Sequence, residues 1–175
     1  MKYFIFISLA SITFLSLSCK KDEVDYLAGK DNLIASFEVP AGLNNIETHY
    51  FRINNVKLFL KETIEANALS STASYKISGS KGRLVSRLGQ VEFSTFAEVT
   101  VDAISISDPT KRKEIFYQEE IPFNLSNELK LFTSLSEISD IIENDKVHLD
   151  IGIRFRSFSS IPADLDLEFG YVIFQ

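Results

Sequence analysis

His49 and His148 are the two imidazoles of this chain, and a histidine-based general base at neutral pH would have to be one of them. The spacings that would recruit them are missing. There is no His-Glu-x-x-His for a metalloprotease, no Gly-x-Ser-x-Gly elbow and no phosphate-cradling glycine loop. His148 lies between Val147 and Leu149 on the polar side of an alternating run, which reads as a solvent-facing strand residue. His49, in Thr48-His49-Tyr50-Phe51, follows a loop containing Gly42 and reads as a hydrogen-bonded structural histidine. An envelope hydrolase would need it beside an acid and a serine in a cleft.

Asp164, Asp166 and Glu168 form an alternating comb of acids. Calcium takes six to eight oxygens from converging loops, and carboxylates on one flat strand face diverge. Stacking of a sugar would fall to Tyr50, Tyr75, Tyr117 or Tyr171, because the chain has no Trp; Tyr171 is in phase with a buried face. No catalytic residue, metal or cofactor is expected, and the ligand-binding residues are left unassigned. The acidic balance, −6 overall, and the lack of a basic patch exclude nucleic acid as an expected partner.

The remaining reactive group is Cys19, the one cysteine. Lys2 precedes an uncharged apolar run, Tyr3 to Leu17, and charge starts abruptly at Lys20. That run is shorter than the roughly 20 apolar residues a membrane span needs and has the layout of a secretory signal. Leu15-Ser16-Leu17-Ser18-Cys19 resembles the lipobox of bacterial lipoproteins, with small Ser18 before the cysteine and Leu15 and Leu17 flanking Ser16, where the family usually has Leu. Cys19-Lys20-Lys21-Asp22-Glu23 is similar to the post-cysteine segment of small Bacteroidota envelope lipoproteins. The resemblance implies cleavage before Cys19, acylation of its sulfur and amine, an outer-membrane location and display at the cell surface. Two or more acyl chains hold a protein stably where one does not, at about 0.8 kcal/mol per buried CH₂.

Removing residues 1–18 leaves 157 residues with a side-chain charge of −7, since that segment carries one Lys and no acid. Membrane contact is therefore expected through acyl chains on Cys19 rather than a basic face. The mature chain would have no thiol for a disulfide, and Phe, 15 in all, would fill its core.

Residues 19–30 read as a lipidated tether and 31–175 as a single domain. Leu33–Val39 alternates and ends at Pro40. Val56, Phe59, Leu60 and Ile64 at i, i+3, i+4 and i+8 predict a helix from Asn54 or Asn55 to Asn67, with a strand over Phe51–Leu60 as the competing reading. Tyr75–Ser78 and Arg83–Leu88 read as strands around a Gly79–Gly82 turn. Val91–Ser107, Glu114–Ile121 and Glu128–Phe132 follow as further strands. Ser134-x-x-Glu137 reads as the capping box of a second short helix. Val147–Phe155 and Leu165–Ile173 alternate with period two, and a hairpin between them would set Arg154 and Arg156 opposite Asp164, Asp166 or Glu168.

The expected fold is an antiparallel β-sandwich of about seven strands with two short helices, the alternative being a partly closed barrel. The expected function is a non-enzymatic, lipid-anchored binding or adhesion module with a protein or glycan partner at the envelope. The alternative is a periplasm-facing structural subunit of an outer-membrane assembly.

Overall fold

The computed structural model describes residues 25–88, 91–123 and 127–175. Cys19, the signal and the first part of the tether lie outside the described residues. The described chain is mostly β. Its elements are β1 (Ala28–Val39), β2 (Thr48–Lys57), α1 (Leu60–Ala66), β3 (Lys76–Ser86), β4 (Phe96–Ile104), β5 (Arg112–Glu119), β6 (Glu128–Thr133), β7 (Lys146–Phe155) and β8 (Ala163–Phe174), with 3₁₀ turns at Phe93–Thr95 and Ser139–Ile141.

The eight strands form one sheet in the order β1-β8-β3-β6-β5-β4-β7-β2, antiparallel throughout. It curls into two facing layers. Layer one is β1, β8, β3 and β6; layer two is β5, β4, β7 and β2. Only two residue pairs, Phe116 with Thr133 and Tyr117 with Phe132, join β5 to β6. At the opposite margin the edge strands β1 and β2 face each other without a ladder, and the Phe37 and Phe51 rings meet 5.7 Å apart. The result is a barrel closed on one side and nearly closed on the other.

The inward faces supply a continuous core. Phe93, Phe96, Phe116, Leu84, Ile104, Leu149, Ile151, Ile153 and Leu165 are fully buried. Phe96 packs edge-on to both Phe93 and Phe155, at 5.4 and 5.1 Å between centroids, the geometry that aromatic quadrupoles favour.

The helix expected from Asn54 or Asn55 begins later. Residues 54–57 continue β2, whose register against β7 shifts between Ile53 and Val56, with Asn55 at φ 57°. That bulge turns Val56 inward without a helix. Phe59 at φ 60° then breaks the strand, and Asp145 sets the helix start: its carboxylate accepts the Leu60 N–H at 2.6 Å and its carbonyl the Leu58 N–H at 2.9 Å. Asn67 caps the end, as the spacing predicts, and Lys61 pairs with Glu65 one turn on. Thr63 gives its hydroxyl proton to the Phe59 carbonyl, so the buried Tyr171 hydroxyl, 2.9 Å away, donates to Thr63 Oγ1. Burial pushes that phenol up to about 12.

Four further expectations are corrected. Gly79–Gly82 is no turn: β3 runs straight through it with a bulge between Gly79 and Lys81. The glycines are there because a Cβ on Gly82 would lie 2.9 Å from the Phe116 ring and one on Gly79 3.0 Å from it. The Ser134–Glu137 capping box starts no α-helix, because Glu137 bridges Ser78 and the Ile138 N–H bonds the Ile77 carbonyl, which holds that segment extended along β3; the short helix behind it is the single 3₁₀ turn Ser139–Ile141. The last two strands are not a hairpin. The connection 156–162 crosses between layers, so β7 lies between β4 and β2, and β8 between β1 and β3. Finally, β1 starts at Ala28, so the last residues read as tether, Ala28 to Lys30, already pair with Tyr171 to Ile173.

The tight turn Glu143-Asn144-Asp145-Lys146 has Asn144 and Asp145 at φ 50° and 64°, as a two-residue hairpin loop requires. The Glu143 carboxylate accepts bonds from Ser105 Oγ at 2.5 Å, Ser107 N at 2.9 Å and Ser107 Oγ at 2.8 Å. These hold it down from 4.5 to about 2.

Two measurements follow. Gly82→Ala should destabilise by roughly 1–3 kcal/mol, the usual cost of overpacking a core; a denaturant midpoint equal to wild type would show that Phe116 has room to yield. The Glu143 contribution to stability should be complete above pH 4.5 and disappear as pH falls through about 2. Glu143→Gln should therefore lower stability at neutral pH and flatten its decline across that window, and parallel pH curves for the two proteins would contradict the assignment.

Candidate functional site

The two imidazoles sit at opposite ends of the β2–β7 pairing, His49 opposite Ile153 and His148 close to the bulge in β2. His49 Nε2 lies 2.9 Å from the Asn44 carbonyl, which can only accept, so that nitrogen carries the proton. Its ring lies 6.0 Å from Phe155. His148 Nδ1 accepts the Asn55 N–H at 3.0 Å, satisfying a donor released by the bulge. Both histidines bond backbone.

The acid comb on β8 meets cations from a neighbouring strand. Asp166 accepts from Arg87 Nε and Ser36 Oγ, each at 2.7 Å, and Glu168 accepts from Arg83 at 2.7 Å. Arg154, expected opposite these acids, instead bonds Glu98 on β4 at 2.7 Å. Among the described residues, no group of three or more His, Cys, Asp or Glu is placed to hold a metal. Tyr75 donates to the Ser70 carbonyl and Tyr171 is buried. Tyr50 and Tyr117 share the outer face of layer two.

The feature that sequence reasoning missed is at one end of the barrel. The chain enters β1 at what can be called the near end, with α1 and the 143–146 turn. The far end carries 40–47, 87–88, 91–95, 120–123 and 156–162. Among the described residues, five large apolar side chains stand exposed on these connections: Ile46, Leu88, Phe123, Phe158 and Ile161, with Ile46 87% and Phe123 83% exposed. The near end has Leu135 and the entering Tyr26 and Leu27; Ile34, Tyr50 and Phe132 are on strands.

The far-end connections are laced together. The Gly42 N–H bonds the Ser159 carbonyl at 2.7 Å, and the Ser159 N–H returns to the Leu43 carbonyl at 2.9 Å. Gly42, at φ 91°, makes the turn this exchange needs. Asn44 Oδ1 accepts the Ile46 and Glu47 N–H groups, a local turn that presents Ile46 outward. Arg156 is the central tie. Its guanidinium donates to the Ser94 carbonyl at 2.9 Å and to the Ile121 carbonyl, and lies 4.1 Å from the centre of the Phe123 ring.

Inside this rim, a cavity of about 300 Å³ opens toward the core. Val39, Phe96, Phe155 and Ala163 form its apolar floor, Phe158 and Ile161 stand at its mouth, and hydroxyls of Ser157 and Ser160 are among its polar lining. That volume is at the small end of ligand pockets and suits one large side chain of a partner. No local signal in the sequence marks these residues, because each is a stray apolar residue in a polar loop and the topology brings them together.

No protein-family model matches the chain, and no curated protein or solved structure matches it.

The Arg156 and Arg154 guanidiniums make opposite predictions. Arg156→Ala removes charge-assisted bonds to two carbonyls and should cost about 1–3 kcal/mol. Arg154→Gln breaks one exposed pair with Glu98 and should cost less than about 1 kcal/mol. Equal urea midpoints for the two variants would show that the rim is not tied through Arg156.

Proposed function

We propose that this chain is a non-enzymatic binding module of the outer membrane, held by acyl chains on Cys19, that presents the far end of its barrel to a protein partner at the cell surface. The observation that carries this reading is polarity of layout. The chain enters at the near end, and the exposed loop apolar residues gather at the other. β1 alone has 12 residues, about 40 Å at the usual rise per strand residue, so an anchored barrel would hold its rim well clear of the lipid.

The chemistry of the rim supports a protein rather than a polar ligand. Aromatic and aliphatic side chains around a small apolar cavity, with an Arg over a Phe, have the composition of an interface hot spot. Exposed apolar groups grouped on one face of a soluble domain mark an interaction site more often than scattered ones do. The lacing of the loops through Ser159 and Arg156 lowers the ordering cost that a floppy rim would incur on binding.

The test has two arms. Cys19→Ala should abolish acyl labelling and release the protein from the membrane fraction; labelling equal to wild type would end the anchor reading. A photo-crosslinking residue at Phe123 or Phe158 should capture a partner on whole cells, while one at Leu135 should not. Equal capture at Leu135, or crosslinks that form only when the outer membrane is opened, would replace display at the surface with the periplasm-facing structural role.

A further inference from the structure

The outer face of layer two carries a second surface, independent of the rim. The registers place Tyr50, Gly152, Thr100, Tyr117 and Phe132 in one row across β2, β7, β4, β5 and β6. A Cβ on Gly152 would lie 2.6 Å from Thr100 Oγ1 and 3.0 Å from Tyr50 Cε1, so the Tyr50 ring lies down on the glycine. At the other end of the row the Tyr117 and Phe132 rings lean together, 5.9 Å between centroids at 45°. Phe132 is 60% exposed.

The rows on either side are charged. One holds Arg154, Glu98 and Glu119; the other holds Arg52, Asp150, Asp102 and Glu114. Each guanidinium is matched to one acid: Arg154 to Glu98, Arg52 to Asp150 and Arg112 to Asp102. Three carboxylates are left over, Glu114 and Glu119 on β5 and Glu120 just after it. None has an ion pair or a side-chain hydrogen bond among the described residues. Lys113, the nearest cation along β5, is turned to Asp140 and the Glu137 carbonyl. Burial first, then the negative charges of Asp102, Glu119 and Glu98, push the Glu114 carboxyl above its ordinary value. Lys130 on β6, on the same outer side as Phe132, is one cation against these three acids, so the acids remain in excess.

Tyr117, Phe132, Glu119 and Glu120 line an open hollow of about 430 Å³ where β5 and β6 splay apart. We infer that this hollow takes a lysine or arginine side chain from a basic segment of a partner protein, held between the two ring faces and the surplus carboxylates. Ring faces attract cations through their quadrupole, and the carboxylates supply the charge complementarity that orients an approaching basic segment. Glu120 leads along the chain through buried Ile121 to Phe123 of the rim.

The experiment uses the full chain in a neutral detergent and titrates it by calorimetry with a short peptide of alternating lysine and arginine. A matched acidic peptide and spermidine serve as comparison probes. The basic peptide should bind, with affinity falling as salt rises, and the acidic one should not. Phe132→Ala and the pair Glu119→Gln with Glu120→Gln should each weaken binding about tenfold or more, equivalent to about 1.4 kcal/mol. Glu65→Gln, an exposed acid on α1, should leave it unchanged. These sites are exposed, and unchanged melting temperatures will show that the variants remain folded. No binding of the basic peptide, full binding by Phe132→Ala, or an equal loss with Glu65→Gln would overturn the proposal. Spermidine binding as tightly as the peptide would overturn the choice of a protein as the source of the cation. Crosslinking at Phe158 reads the rim separately, so either surface can fail without the other.

Discussion

The Phe116 ring, pressed against the backbone of Gly79 and Gly82, is the contact on which the barrel depends. It reaches from β5 in layer two to β3 in layer one, beside the two residue pairs that join β5 to β6. Phe169 from β8 closes on the same ring at 6.4 Å. The lone cysteine lies at position 19, so no disulfide can cross-link the described domain. Cohesion between the layers must come from apolar burial, and a large flat ring needs a backbone without Cβ atoms to approach this closely. Two glycines in the middle of a strand weaken it locally. Here they admit the side chain that joins the two halves.

The polar groups divide along the same axis. At the near end, Asp145 caps α1, Glu143 gathers the Ser105–Ser107 turn and Thr63 satisfies the buried Tyr171 hydroxyl. Side chains there answer backbone donors and each other. On the outer faces, arginines clamp acids across strands: Arg52 bonds both oxygens of the mostly buried Asp150, and Arg83 bridges Glu128 and Glu168. Bidentate pairs of this kind fix geometry better than they add stability. At the far end the polar groups are spent on tying loops together, and the apolar side chains are left outward. The exposed apolar rim is thus specified by topology rather than by any motif.

How much of this was legible in the sequence differs from element to element. Period-two alternation correctly identified the inward residues of β7 and β8, because alternation reports which face a side chain takes. It does not report which strand lies alongside, so alternation alone sets Arg154 opposite Asp166 or Glu168 when its partner is Glu98, 56 residues back. Val56, Phe59, Leu60 and Ile64 fit a helical spacing, yet the same four positions reach the core through a bulge, a left-handed residue and a helix of seven residues. What decided between these was Asp145, 85 residues away from the N–H it caps. The Gly79–Gly82 stretch carried a turn signal whose cause was a ring on another strand. The rim was illegible for a related reason: loop composition shows that Ile46, Phe123 and Phe158 are exposed, and only the assembled barrel shows that they are neighbours.

The final strand sits in the interior of the sheet. β8 is flanked by β1, the first strand, and by β3, so Ala28 pairs with Ile173 and Lys76 with Phe174. Until the last twelve residues of strand are synthesised, the first strand has no partner and layer one is missing its middle. Such first-to-last pairing gives a high contact order and slow folding. A chain that stops short of β8 cannot assemble layer one, so β1 and β3 stay apart until the strand that joins them is in place.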